Sequence, residues 1–154
     1  MEMEGQKYAP PEGPIAVMPI DNCAHVVEEG GGHVAADGDV TSLFERIRAG
    51  EMKVACQECG DERENWLCCG CLTVHCSRHV AAHGKQHFEE SGHAVALGFN
   101  DLSVWCHRCE AYLDVYNVPA VRCVYREAHV SKFGEPPPGA MFSGPATLIL
   151  DLSQ

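Results

Sequence analysis

The chain has 154 residues, ten cysteines, nine histidines and a formal charge of −11. That length suits one domain with a small hydrophobic core, which at this size calls for staples. The acidic balance makes a phosphate backbone a poor partner and a basic peptide or protein face a better one, so no nucleic-acid partner is expected.

The opening residues, Met1-Glu2-Met3-Glu4, offer neither a basic n-region nor an apolar h-region, so no signal peptide is expected. The longest apolar runs, residues 15–20 and 146–150, are far too short to span a bilayer, and no membrane partner is expected. The reading is a monomer in a reducing compartment, cytoplasmic or nuclear, where cysteines bind metal instead of pairing as disulfides.

In chain order, residues 1–20 are an extended lead-in, broken by proline and glycine and without helical or strand period. Gly30-Gly31-Gly32 is a flexible joint. Ser42-Leu43-Phe44-Glu45 reads as a capping box opening a short helix near 41–49, with Leu43, Phe44 and Ile47 on one face and Gly50 as the stop. It reads as an insert packed on a metal core. Residues 80–87 have a helical pattern, with Ala81 and Ala82 as good formers and Gly84 as a weak point. Val95, Leu97 and Phe99 alternate with small or polar residues, the pattern of a half-buried strand. Val104-Trp105 and residues 112–115 are further strand candidates, with a Cys-His-Arg-Cys knuckle between them. Pro119 opens another helix, in which Val121, Val124, Tyr125 and Ala128 recur at helical spacing and Gly134 is the stop. Pro136-Pro137-Pro138 stiffens the exit, and residues 147–150 could add an edge strand or stay loose.

Cysteines and histidines between positions 56 and 109 fall at metal-ligand spacing. A C-x-x-C turn brings two sulfurs to one tetrahedral ion while backbone amides point at them, and zinc needs four such donors. The pairs Cys56/Cys59, Cys68/Cys71, Cys106/Cys109 and Cys23/His25, with Cys76, His83, His87 and His93, give twelve ligands. That is enough for three closed sites, which are structural because no position is left open for water. Spacing alone leaves the pairing open: His83 and His87, four apart on a helix, could share one ion or face separate ions. Cys69 and Cys123 are left over as thiols. A thioredoxin-type redox motif does not fit, because no βαβ pattern surrounds any C-x-x-C.

The run CQECGDERENWLCCGCLTVHCSRHVAAHGKQHFEESGHAVALGFNDLSVWCHRCEAYL resembles the UBP-type zinc finger, also called the BUZ or PAZ finger, found in ubiquitin-specific proteases and at the end of a cytoplasmic histone deacetylase. Its motifs are ENW before the second knuckle, C-x-R after it, H-x₃-H-x₅-H, and DLS-x-W-C-x-x-C-x-x-Y. The resemblance extends to Cys23-Ala-His25 and to Lys132-Phe133-Gly134-Glu135. It implies an α+β fold: a small zinc-stapled domain over residues 21–135, with a twisted antiparallel sheet of about five strands, two or three flanking helices and cross-braced zinc sites. Residues 136–154 are then a proline-containing tail. It also implies three Zn²⁺ ions: one on Cys23, His25, Cys106 and Cys109, one on Cys56, Cys59, Cys76 and His83, and one on Cys68, Cys71, His87 and His93.

By the same resemblance the module binds ubiquitin through its free C-terminal diglycine. Trp66 and Trp105 would wall a slot that only side-chain-free residues could thread. Arg78 would offer a forked donor to the terminal carboxylate, Tyr112 a hydroxyl, and Asp101 a partner for a basic tail residue or for Arg78. His79 and His107 stand where close members carry tyrosines that line the tail site, and Ser77 stands where glycine is usual. An enzymatic role is not expected, since zinc claims every well-placed Cys and His and leaves no nucleophile–base pair. The competing reading is a structural zinc scaffold or B-box-like interaction module without ubiquitin binding, holding two zincs and recruiting His79 as a ligand.

Overall fold

A computed structural model describes residues 18–26, 34–139 and Phe142. The lead-in up to residue 17, the glycine joint at 30–32 and the edge strand expected at 147–150 lie outside the described residues.

Five short strands form one sheet: β1 (Asn65–Cys68), β2 (Val74–Cys76), β3 (Val95–Gly98), β4 (Val104–Cys106) and β5 (Ala111–Tyr112). Their order is β2-β1-β3-β4-β5 and every neighbouring pair is antiparallel. Helices α1 (Asp37–Arg48), α2 (His83–Ser91) and α3 (Arg122–Phe133) complete the expected α+β architecture. None of them is long and apolar enough to cross a membrane.

The register assigns side chains to faces, because residues directly opposite each other share a face and the face alternates along a strand. Trp66 pairs with His75 and Gly98, and Trp105 pairs with Ala96 and Tyr112, so these residues share one face. Leu67, Val74, Val95, Leu97 and Val104 take the other face. They form the core with Val40, Leu43 and Phe44 of α1 and with Val121, Val124 and Ala128 around α3. The expected half-burial of β3 is not what the structure has. All four of its residues are buried, because a central strand has neighbours on both sides and cover on both faces, and Phe99 lies beyond its end.

Three helix boundaries also move. Helix α1 begins at Asp37 and not near residue 41, with Ser42 inside it and no side-chain cap. The apolar stripe extends back to Val40, and Asp37 and Asp39 favour the positive end of the helix dipole. Helix α2 begins at His83, after Ala82 in the left-handed region (φ 60°), instead of near residue 80. Gly84 is therefore no weak point. A Cβ there would stand 3.2 Å from the Cys76 carbonyl oxygen, so its bareness lets α2 lie against β2. Pro119 opens a short 3-10 turn, Pro119–Val121, and α3 follows from Arg122 to its left-handed stop at Gly134. The strand expected over 112–115 ends at Tyr112, because Asp114 starts a turn by accepting hydrogen bonds from the Tyr116 amide (2.9 Å) and the Asn117 side chain (2.7 Å).

Helices α1 and α3 pack on each other around a buried carboxylate. Glu127, 6% exposed, accepts from Arg48 at 3.1 Å and Arg126 at 2.8 Å, which is how a charge is tolerated there. The chain beyond Glu135 still meets the domain: Pro137 is buried, and Phe142 packs edge-on against Tyr116 and Tyr125.

Candidate functional site

The sheet brings the twelve candidate ligands into three quartets, with all donor atoms in each within 4.8 Å of one another. The quartets are Cys23, His25, Cys106 and Cys109; Cys56, Cys59, Cys76 and His83; and Cys68, Cys71, His87 and His93. These are the sets implied by the resemblance. His83 and His87 face separate sites, and the second and third quartets interleave along the chain. His79 lies in none of them, although a B-box would require it as a ligand.

Donor spacings fit one tetrahedral ion per quartet. Zinc bonds of roughly 2.3 Å to sulfur and about 2.05 Å to nitrogen put two sulfurs about 3.8 Å apart and sulfur and nitrogen about 3.6 Å apart. In the first quartet His25 Nδ1 lies 3.7, 3.5 and 3.3 Å from the sulfurs of Cys23, Cys106 and Cys109, and Cys109 and Cys23 are 3.7 Å apart. In the second, His83 Nδ1 is 3.5 Å from Cys56 and 3.4 Å from Cys76, with Cys59 and Cys76 3.9 Å apart. In the third, His93 Nδ1 is 3.6 Å from Cys68 and His87 Nε2 is 3.3 Å from Cys71. Gly70 makes room for this site, since a Cβ there would press to 2.8 Å from the His93 ring.

The surroundings of the sulfurs separate two kinds of thiol. Burial pushes Cys23 and Cys68 up to about 12, so each becomes a thiolate only with a cation beside it. At Cys56 burial also works upward, but the backbone amides of Cys59, Glu58 and Cys76 together outweigh it and bring the thiol down to about 7. The leftover thiols are of the first kind. Cys69 is turned into the core and pushed far up by burial, and Cys123, wedged against Thr41 of α1, is pushed up to about 11 by burial and by Asp37.

On the sheet face away from the core lies a groove of about 1030 Å³. Trp66, Arg78, His79, Asp101, Trp105, His107 and Tyr112 all line it. Trp66 lies down over Gly98, where a Cβ would come within 3.2 Å of the indole, and Ala96 is bare floor beside Trp105. Tyr112 meets Trp105 edge to face at 4.9 Å. Arg78 is exposed and makes no hydrogen bond or ion pair among the described residues; Glu89 instead lies 3.9 Å from Lys85. Asp101 caps the β3–β4 turn, accepting from the Ser103 amide (3.0 Å) and hydroxyl (2.8 Å), and does not contact Arg78. His107 stacks on Phe88 of α2 at 4.8 Å and 11°, and burial, followed by the charge of Lys85, holds its pKa below the usual histidine value.

Several lining residues escaped the sequence reading. His75, 3% exposed, stacks on the candidate ligand His87 at 4.5 Å, and burial followed by the His87 charge lowers its pKa. Lys85 and Phe88 of α2 also face the groove. The usable signal was the run Val95-Ala96-Leu97-Gly98. Its large residues face the core, and its small ones leave the other face bare.

A family model described as a zinc finger in ubiquitin hydrolases and other proteins matches residues 56–118. The chain carries a UBP-type zinc finger. NAD-dependent deacetylase sir2A of Dictyostelium discoideum is 39% identical over 106 residues, covering 68% of this chain and 18% of that protein. Histone deacetylase 6 of Caenorhabditis elegans is 38% identical over 124 residues, covering 80% and 11%. Ubiquitin carboxyl-terminal hydrolase 44 of Ailuropoda melanoleuca is 30% identical over 97 residues, covering 63% and 12%. The chain thus spans less than a fifth of each relative. Zinc is the metal of this finger, and its donor sets are of the Cys₃His and Cys₂His₂ kinds that zinc takes in structural sites. The UBP-type finger here reaches beyond the matched stretch, since Cys23 and His25 lie upstream of it.

Proposed function

We propose that this UBP-type finger binds ubiquitin by its free C-terminal diglycine tail, on a frame of three structural zinc ions. The observation that carries the reading is a single groove lined by both tryptophans, an exposed arginine that is unpaired among the described residues, and a strand whose groove-facing positions are small. Aromatic walls over a bare strand accept a chain without side chains, and a free guanidinium can take a carboxylate through two parallel hydrogen bonds. Such a carboxylate exists only on an unconjugated tail. The module is a receptor and not an enzyme: the well-placed thiols and imidazoles are taken up in quartets, and the leftover Cys69 and Cys123 are held as thiols by burial. A reducing, cytoplasmic or nuclear setting goes with this reading.

Calorimetry of the zinc-loaded chain tests it. Intact ubiquitin is expected to give binding heat and ubiquitin lacking its last two glycines none. Arg78→Ala and Trp105→Ala are each expected to weaken binding by about 2 kcal/mol or more, as central charged and aromatic anchors do. Equal binding of both ubiquitin forms defeats the tail reading.

A further inference from the structure

We propose that Lys132 is a positioning residue for the groove: it fixes the β3–β4 turn and, through that turn, the place of the Asp101 carboxylate. The inference rests on the tail-site reading, in which Asp101 meets a basic residue of the tail. Lys132 sits in the last turn of α3, the helix that packs on the core face of the sheet, and it does not line the groove. Its ammonium donates to the carbonyl oxygens of Phe99 (3.1 Å) and Asn100, the residues just before Asp101. Among the described residues no backbone amide donates to either carbonyl. An ionised donor makes a hydrogen bond about twice as strong as a neutral one.

The turn needs ties from outside because its backbone is strained. Leu102 stands at φ 61°, in the left-handed region that a leucine rarely adopts, and its amide closes the turn on the Gly98 carbonyl at 2.7 Å. The Leu102 side chain is buried in the core, which anchors one end. At the tip, the Asn100 side-chain amide donates to the Arg63 carbonyl at 3.3 Å on one flank, and Lys132 takes the backbone carbonyls on the other. Asp101 adds no tie of its own, since its carboxylate accepts only from Ser103 of the same turn. Where that carboxylate stands is therefore inherited from the backbone that Lys132 grips. Helix α3, which supplies the grip, is itself fixed by buried Val124 and Ala128.

Calorimetry of the zinc-loaded full chain with intact ubiquitin tests the assignment. Lys132→Met keeps the stem and removes the donors, and Lys132→Gln is a second variant; zinc content and near-ultraviolet circular dichroism show which keeps the fold. A folded Lys132 variant and Asp101→Ala are each expected to bind about 10-fold more weakly than the wild type. The double variant is expected to lose about 10-fold as well, and not about 100-fold, because both changes act on one carboxylate. Lys132→Arg, which can donate to both carbonyls, is expected to stay within about 3-fold of the wild type. A folded Lys132 variant or an Asp101→Ala variant that binds as the wild type does, losses that multiply, or an arginine variant as weak as the methionine one overturns the positioning role and leaves the tail site standing. A wild-type chain that gives no binding heat, or that binds ubiquitin lacking its last two glycines equally well, overturns the tail site and this role with it.

Discussion

Helices α2 and α3 are held to the same sheet by different forces. Helix α3 buries Val124 and Ala128 in the core, and its partner α1 buries Val40, Leu43 and Phe44. Helix α2 buries no residue. It starts and ends at left-handed residues, Ala82 and Gly92, and is tied down by His83 to one quartet and by His87 to the next. The packed half stands on apolar area, whereas α2 sets only Phe88 against the edge of the core and contributes His83 and His87 to two quartets. The groove is thus lined on one side by the helix with the least apolar support.

The largest effect should come from removing the metal. A structural zinc contributes on the order of 10–16 kcal/mol of apparent folding free energy. Chelation is therefore expected to erase the near-ultraviolet circular dichroism of Trp66 and Trp105, and metal analysis before chelation is expected to return three zincs per chain. A signal that survives complete metal removal breaks the contrast, because α2 would then be held by packing. Next comes Phe44→Ala, which is expected to cost about 3–5 kcal/mol in denaturant unfolding, as buried phenylalanines do. Its zinc content should stay unchanged, and loss of zinc in that variant would mean that the two halves are one cooperative unit.

The smallest effect belongs to a turn that touches neither half's support. The Asn117 side chain, helped by the Tyr116 and Asn117 amides, holds Asp114 below its ordinary value of 3.8. A carboxyl depressed on folding stabilises while it is ionised, so its contribution is whole above 3.8 and lost as pH falls below it. Asp114→Ala is expected to lower stability at neutral pH by about 1 kcal/mol, the scale of a lost hydrogen bond, with no change in zinc content or ubiquitin binding. A drop in zinc content would tie this turn to the first quartet through the neighbouring Ile20–Leu113 bridge.

How much could be read in advance follows the same division. Ligand chemistry is written in residue identity and spacing, so the twelve donors were legible, while their partition came from the resemblance. His83 and His87 show why. On a helix they share a side, and only the placement of β1 and β2 beneath α2 sends them to different quartets. Helix starts were misread where a local signal competed with a tertiary one. Ser42 offered a capping box, but Val40 had core to meet. Ala81 and Ala82 offered helix propensity, but the close contact at Gly84 set the start one residue after Ala82. The bare face of β3 was visible as Ala96 and Gly98, yet small residues announce nothing until the strand is known to be central. Phe88 gave no sign at all, since its partner His107 lies on a separate knuckle across the sheet.

The first quartet closes across the longest stretch of chain, with Cys23 and Cys109 separated by 86 residues. During synthesis the second quartet is complete once His83 has emerged from the ribosome, and the third once His93 has. Cys23 and His25 come out first and wait longest, until Cys109 appears. For that interval an early-born thiol has no native partner, so the quartet whose residues were the first to be made is the last to be completed.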